Sequence, residues 1–318
     1  MKALVTGAGG FIGSHLCERL IDEGINVIGV DSFTPYYDPR LKRENFSQIA
    51  DKGVETIEAD LMSVELDPLL EDVDVVFHQA GEPGVRASWE QLEDYQRQNI
   101  SATYSLLDAA KRTNLARFVY ASSSSIYGTA STHPTSELEL PQPVSPYGMT
   151  KLAGEHLCRM FAENFDVPTV SLRYFTVFGP RQRPDMAFRR LITAALSGQA
   201  FPLYGDGKQV RDFTYVDDVI EANFRAATQP DVPPGLVVNI AGGGAWSLSE
   251  VIAEVERLSG TKVELERSGP QHGDVRRTSG ATDVAWSKLK WKPKVSVTDG
   301  LERQFSWQSE LLRRTKLS

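Results

Sequence analysis

The chain has 318 residues, enough to bury a large core and to join a nucleotide-binding domain to a smaller lobe. Its 42 acidic and 34 basic residues leave a net charge of -8, which argues against a broad nucleic-acid or anionic-membrane surface. A local cluster of Arg181, Arg183, Arg189 and Arg190 still leaves room for a small anionic ligand. Cys17 and Cys158 each stand in apolar, helix-like sequence and read as buried free thiols, as expected of a cytoplasmic protein. No apolar run reaches the length of a membrane span, and the strand pattern begins at once, leaving no room for a signal peptide.

Residues 2–6 are a short apolar run leading into Gly7-Ala8-Gly9-Gly10-Phe11-Ile12-Gly13 and an amphipathic helix to about Glu23. Glycines at such a turn permit the tight bend and let backbone approach a pyrophosphate closely, with the helix N-terminus facing the phosphates. The next strand, Asn26–Val30, ends in Asp31, where a ribose-binding acid is expected and where a 2'-phosphate would be repelled. NAD is therefore favoured over NADP. Gly7, Gly10 and Gly13 are spaced G-x-x-G-x-x-G, and Ile12 stands where the commoner G-x-G-x-x-G would have its third glycine.

The alternation continues with a strand near Val54–Glu58, a helix near 63–71, a strand at Val73–Phe77, a long helix near Asp94–Thr113 and a strand at Phe118–Ala121. Asn99 is a polar member of the long helix's buried stripe and needs buried partners, either a structural bond to a strand end or a water bridge at the active site. Ser145 then reads as an N-cap with Pro146 at the first position of a helix running to about Phe165. Tyr147 and Lys151, four apart, share one face of it, and a nearby cation favours the tyrosinate of a phenol whose free pKa is about 10.

After a strand at Thr169–Arg173 the pattern loosens over residues 178–184, a crossing into a second lobe. That part is expected to hold a helix near 186–197, strands near 202–204 and 211–214, a helix from Asp217, a strand at Val237–Ile240, a helix at 248–258 capped by Ser247 and Glu250, and terminal helices. The expected architecture is α/β: a Rossmann-type doubly wound parallel sheet over residues 1–178, with segments near 215–245 returning to it, and a smaller C-terminal α/β substrate-binding lobe over 179–318. Histidines 15, 78, 133, 156 and 272 show no metal-ligand spacing, and His78 reads as lining the cofactor rather than as a base.

Taken together, the glycine turn, Asp31, Asp60-Leu61, His78-Gln79-Ala80-Gly81, Asn99, Ser122–Ser125 before Ile126-Tyr127-Gly128, and Tyr147 with Lys151 resemble the extended short-chain dehydrogenase/reductase family over essentially the whole chain. The resemblance implies Ser123, Tyr147 and Lys151 as a catalytic triad. It implies NAD contacts from Gly7, Gly10, Phe11, Ile12, Gly13, Asp31, Asp60, Leu61, Gln79, Ala80, Gly81 and Asn99 as well as Tyr147 and Lys151. It also implies a nucleotide sugar bound between the lobes and a homodimer built on the two long helices.

Within that family, Tyr36-Tyr37-Asp38-Pro39 with Leu41-Lys42, Gly84-Val85-Arg86, and Arg173–Pro180 leading to Arg183-Pro184-Asp185-Met186 resemble the UDP-glucuronate 4-epimerases. UDP contacts are implied for Phe201 at the uracil, Arg211 at the diphosphate and Asp274 at the ribose, with Met186 and Tyr147 also at the substrate. Glu82, where the family often has glutamine, and Arg181-Gln182 depart from the pattern in loops expected near the sugar.

The expected reaction inverts C4 of a UDP-hexuronic acid through a 4-keto sugar, which as a β-keto acid is prone to lose its carboxylate. Ser124, Ser125 and Thr176 offer hydroxyls, and Arg86 or Arg183 a charge, to hold that carboxylate away from decarboxylation geometry. The same hydroxyls admit a blander reading as turn and packing groups. The alternatives are a UDP-glucose/UDP-galactose 4-epimerase, a UDP-glucuronate decarboxylase and a non-catalytic NAD-binding sensor.

Overall fold

The computed structural model describes residues 1–269 and 273–317, so His272 lies outside the described residues. In chain order the elements are β1 (Lys2–Thr6), α1 (Phe11–Asp22), β2 (Asn26–Asp31), α2 (Pro39–Asp51), β3 (Glu55–Glu58), α3 (Leu66–Leu69), β4 (Val75–His78), α4 (Leu92–Tyr95), α5 (Ala102–Ala110), β5 (Arg117–Ser123), α6 (Pro146–Phe165), β6 (Thr169–Tyr174) and β7 (Thr176–Phe178). There follow α7 (Ala187–Ser197), β8 (Phe201–Tyr204), β9 (Val210–Tyr215), α8 (Val216–Thr228), β10 (Leu236–Ile240), β11 (Ala245–Ser247), α9 (Leu248–Ser259), β12 (Leu265–Ser268), α10 (Asp283–Leu289) and α11 (Val297–Leu317).

Seven strands form one sheet in the order β10-β6-β5-β4-β1-β2-β3, and every pairing in it is parallel. Such a sheet is covered on both faces, which is why its strands are nearly continuous apolar runs. Along β1, Ala3 and Val5 pack toward α1, while Leu4 packs on the other face with Leu106, Phe118 and Phe161. The strand order reverses between β1 and β4, and ligands of open α/β sheets enter the crevice at the carboxyl ends of strands at such a reversal. Outside this sheet, β11-β9-β7 and β12-β8 form two small sheets.

Local sequence accounts for the helix entries at the cleft. Ser145 accepts the Gly148 N–H at 3.1 Å and Pro146 opens α6 at a position that needs no donor. The capping box at Ser247 and Glu250 is present. Four elements were not expected. Helix α2 opens at Asp38, whose side chain accepts the Arg40 N–H at 3.0 Å, with Pro39 next; strands β7, β11 and β12 are too short to carry a period.

The helix expected over 94–113 is interrupted. Residues Gln96–Ser101, between α4 and α5, are wound as a π-helical turn, and the helical stretch ends at Ala110. The extra residue per turn rotates Asn99 inward, to 1% exposure, facing α6 and the loop after β4.

Candidate functional site

The cleft at the carboxyl ends of β1, β2 and β4 is lined by the glycine turn, Asp31, Thr34, Tyr36, Tyr37, Lys42, Leu61, the 79–83 segment, Tyr147, Lys151, Tyr174 and Arg183. Its floor is backbone. A Cβ on Gly13 would stand 2.1 Å from the Gly7 carbonyl oxygen, and one on Gly7, whose φ is +71°, would meet the Ala80 backbone at 2.8 Å. Gly10 begins α1 without a side-chain cap, so that helix N-terminus faces the cleft through main chain alone. This cradle and the acid at the end of β2 fit a dinucleotide pyrophosphate and its ribose.

Asp31 is 8% exposed, and its two oxygens accept the Gly9 and Phe33 N–H groups at 2.9 and 2.8 Å. Burial raises its pKa, opposed by the Phe33 N–H, the Lys42 charge and the Gly9 N–H. Leu61 lines the cleft beside Ala59, whereas Asp60 turns away to Arg97 at 2.7 Å and accepts the Met62 N–H at 2.9 Å.

His78 lies below the cleft floor, fully buried between the hydroxyls of Thr6 and Thr103 at 2.8 and 2.9 Å. Burial, helped by Lys151, lowers its pKa to about 3, so it is a neutral structural group and does not line the cofactor cleft as expected. Asn99 makes its side-chain bonds to protein. Its Oδ1 accepts the Glu82 N–H at 2.8 Å, and its Nδ2 donates to the Glu82 carbonyl and the Thr150 hydroxyl, each at 3.0 Å. Of the two roles open to Asn99, the structural bond is the one made: it ties the loop after β4 to α6.

Tyr147 and Lys151 face the cleft together from α6. The nearby cation was expected to favour the Tyr147 tyrosinate; the cation that does so is Arg183, and it is outweighed. Burial is the largest influence and raises the Tyr147 pKa, while the Ser123 hydroxyl, by a hydrogen bond, and the Arg183 charge pull it back. Lys151 is buried, with its Nζ 4.9 Å from the Tyr120 ring centroid, and burial lowers its pKa to about 8. Ser123 closes β5, and its oxygen also accepts the Ser125 N–H at 3.1 Å.

Next to Ser123, Ser124 and Ser125 are half-buried, as is Thr176 at the start of β7. Among the described residues no hydrogen-bond partner is found for these three hydroxyls, whereas Ser122 is committed to Glu155 at 2.8 Å. Arg173, part of the third quoted stretch, is likewise committed, buried against Glu155 and donating to the Tyr127 hydroxyl at 2.6 Å.

The cations expected at the substrate are paired. Arg183 forks onto both oxygens of Asp185 at 3.0 Å, Arg86 stacks 4.1 Å from the Tyr204 ring centroid, and Arg211 pairs with Asp274. Met186 stands at the N-terminal boundary of α7 and makes no side-chain cap. The Phe201 ring, 3% exposed, belongs to the apolar core, and the outward ring on β8 is Tyr204. Arg181 and Gln182 do not face the sugar side. Arg181 reaches back to Glu18 at 2.9 and 3.0 Å, and buried Gln182 bonds Val177, Arg189 and Gln304. Glu82 does line the cleft. Tyr36, Tyr37, Lys42 and Tyr174 line the cleft although no role there was read from the sequence; only the family likeness of residues 36–42 and 173–180 signalled them.

Residues 3–241 match the NAD dependent epimerase/dehydratase family, and the chain belongs to it. The cofactor of this site is NAD. Over 98% of its length the chain is 42% identical to 99% of an uncharacterized UDP-glucose epimerase, YtcB, of Bacillus subtilis, and over 99% it is 34% identical to 98% of a probable UDP-glucuronate 4-epimerase of Rhizobium meliloti. Its fold superposes with a TM-score of 0.95, at 42% identity over 98% of this chain and all of the other, on the UDP-glucuronic acid 4-epimerase of Bacillus cereus solved with UDP-glucuronic acid and NAD.

Proposed function

We propose that the protein inverts C4 of UDP-glucuronate to give UDP-galacturonate through a transient 4-keto sugar. The hydroxyls of Ser124 and Ser125, which follow Ser123 in the chain, and of Thr176 carry this reading: all three are half-buried and none is committed to a protein group among the described residues. The likeness to the Bacillus cereus enzyme supports it.

NAD, when bound, supplies a reversible hydride acceptor. Gly7, Gly10, Phe11, Ile12 and Gly13 would hold its pyrophosphate, Asp31 the adenosine ribose, Leu61 the adenine, and Gln79, Ala80 and Gly81 the wall opposite. Tyr147 takes the proton from the sugar 4-hydroxyl and returns it, and Ser123 donates to the same oxygen. Ser123 also hydrogen-bonds Tyr147, which pulls the phenol's pKa down against the larger effect of burial. Lys151 holds the nicotinamide ribose. The hydroxyls of Ser124, Ser125 and Thr176 bind the uronate carboxylate and keep its bond to C5 out of line with the ketone π-system. Arg211 and Asp274 bind the nucleotide end, exchanging their present pairing for it, and Arg86 and Arg183 stand toward the sugar.

Two further readings complete the proposal. Exposed Trp89, Leu92, Tyr104, Met149, Met160 and Phe165 on and beside α4–α6 fit burial against a second copy, as in a homodimer. The buried free thiols Cys17 and Cys158 fit a reducing cytoplasm, and no described helix is long and apolar enough to cross a membrane. The test is NMR of the NAD-loaded enzyme with UDP-glucuronate and, in parallel, UDP-glucose. UDP-galacturonate formed without loss of carboxylate is expected; conversion of UDP-glucose alone assigns a neutral-sugar epimerase, and pentose product a decarboxylase.

A further inference from the structure

Two buried carboxylates line the cleft, and they are satisfied differently. Asp31 has a backbone donor on each oxygen. Glu82 is 7% exposed, its Oε2 has no hydrogen-bond partner, and the nearby Thr34 hydroxyl favours its charged form. A buried carboxylate oxygen left unpaired costs free energy unless it is protonated or a ligand satisfies it.

The charged groups facing Glu82 come from three directions. Lys42 approaches from α2, Arg183 from the loop before α7, and Asp94 from α4; the phenols of Tyr36 and Tyr95 are also within its field. Neither cation is free to neutralise it. The Lys42 ammonium bonds the Thr34 carbonyl and hydroxyl at 2.9 and 3.1 Å, and Arg183 is forked onto Asp185. The part of the cleft around Glu82 thus holds little net positive charge for an acidic ligand.

We propose that Glu82 is a specificity-determining residue: ionised, its unpaired oxygen opposes an acidic sugar in the field of Arg183, and neutral, it donates a hydrogen bond and the opposition disappears. UDP-glucose shares the diphosphate but lacks the carboxylate, so it feels the difference less, and the ratio of the two affinities reports the carboxylate alone. This rests on the uronate reading of the site and adds a residue whose charge sets the choice between acidic and neutral UDP-sugars. Burial is the largest influence on the Glu82 carboxyl and raises its pKa, with Asp94 acting in the same direction; the Thr34 hydroxyl, Lys42 and Arg183 oppose it. The neutral form therefore persists above the ordinary carboxylate range, and it is lost as pH rises.

The test is calorimetric binding of UDP-glucuronate and UDP-glucose to the NAD-loaded enzyme from about pH 5.5 to about pH 8.5, a range in which neither ligand's carboxylate nor diphosphate titrates. The ratio of the two dissociation constants is the readout, because Lys151, which titrates near its upper end, serves both ligands alike. In the wild type the ratio is expected to move about fivefold against the uronate as pH rises; in Glu82→Gln it stays flat at the value favouring the uronate. A flat wild-type ratio, or a Glu82→Gln variant that shifts both ligands equally, overturns the inference. Should the variant lose its cofactor or its fold, the wild-type titration alone decides. A pH-dependent ratio without uronate turnover sinks the proposed reaction and leaves the role of Glu82; turnover with a flat ratio does the reverse; failure to bind either UDP-sugar overturns both.

Discussion

The two ends of the cleft are built by different means. The cofactor end is made of main chain: a glycine turn, a helix N-terminus without a side-chain cap, and an acid locked by two backbone N–H groups. The end proposed to take the UDP-sugar has long side chains that pair with one another, Arg183 with Asp185 and Arg211 with Asp274, while Arg86 lies on Tyr204. Backbone fixes a ligand that stays; exchangeable ion pairs suit a ligand that must enter, turn and leave. UDP supplies remote binding energy that holds the nucleotide while the sugar ring rotates.

The sharpest way to break the first half of this contrast is Gly13→Ala. Its Cβ would lie 2.1 Å from the Gly7 carbonyl, a collision with backbone that no rotamer relieves, so co-purified NAD measured by absorbance is expected to fall at least about tenfold. Tyr147→Phe leaves that cradle intact and should retain NAD, while kcat falls by roughly 10²–10⁴. Retention of both NAD and most activity would remove Tyr147 from the chemistry.

Asn99→Ala tests whether the two ends are coupled. It strips the bonds joining the Glu82 backbone and Thr150, at a cost of about 1–3 kcal/mol for buried groups left unpaired, read as a lowered Tm; kcat should fall more than KM rises, because the groups proposed to react stand on α6. The pH profile bears on Lys151. Its folded pKa, about 8, lies below that of an unfolded lysine, so the folded state binds fewer protons between the two values. Stability contributed by this group therefore rises with pH above about 8 and is lost as pH falls through it, whereas activity that needs the ammonium declines above about 8. Lys151→Met should remove that limb from kcat/KM. The smallest effect is expected from Asp274→Asn: a partly exposed ion pair contributes about 0–1 kcal/mol, so Tm should barely move while KM for the UDP-sugar shifts a few-fold.

The α/β class, the entry of α6 at Ser145 and the shared face of Tyr147 and Lys151 were legible because each depends on residues within one or two turns of one another. Helix α2 was legible in principle from Asp38-Pro39 and was passed over. The titration of Tyr147 was misjudged because spacing reveals a neighbour's charge but not how much water the fold removes.

The amino-acid sequence by itself determined the glycine cradle, the acid at the end of β2, the alternation of strands and helices, and the phenol and ammonium one helical turn apart. All of these follow from local periodicity, capping and the freedom of glycine at positive φ. Only the tertiary structure decided that Asn99 is spent on protein, that Arg181 binds Glu18 rather than a sugar, that Arg211 meets Asp274, and that Glu82 keeps an unpaired oxygen in the cleft. The first three join groups 51, 163 and 63 residues apart in the chain, and the fourth depends on which donors the fold leaves out of reach. Those outcomes are set by burial and by competition among distant partners, which no local pattern encodes.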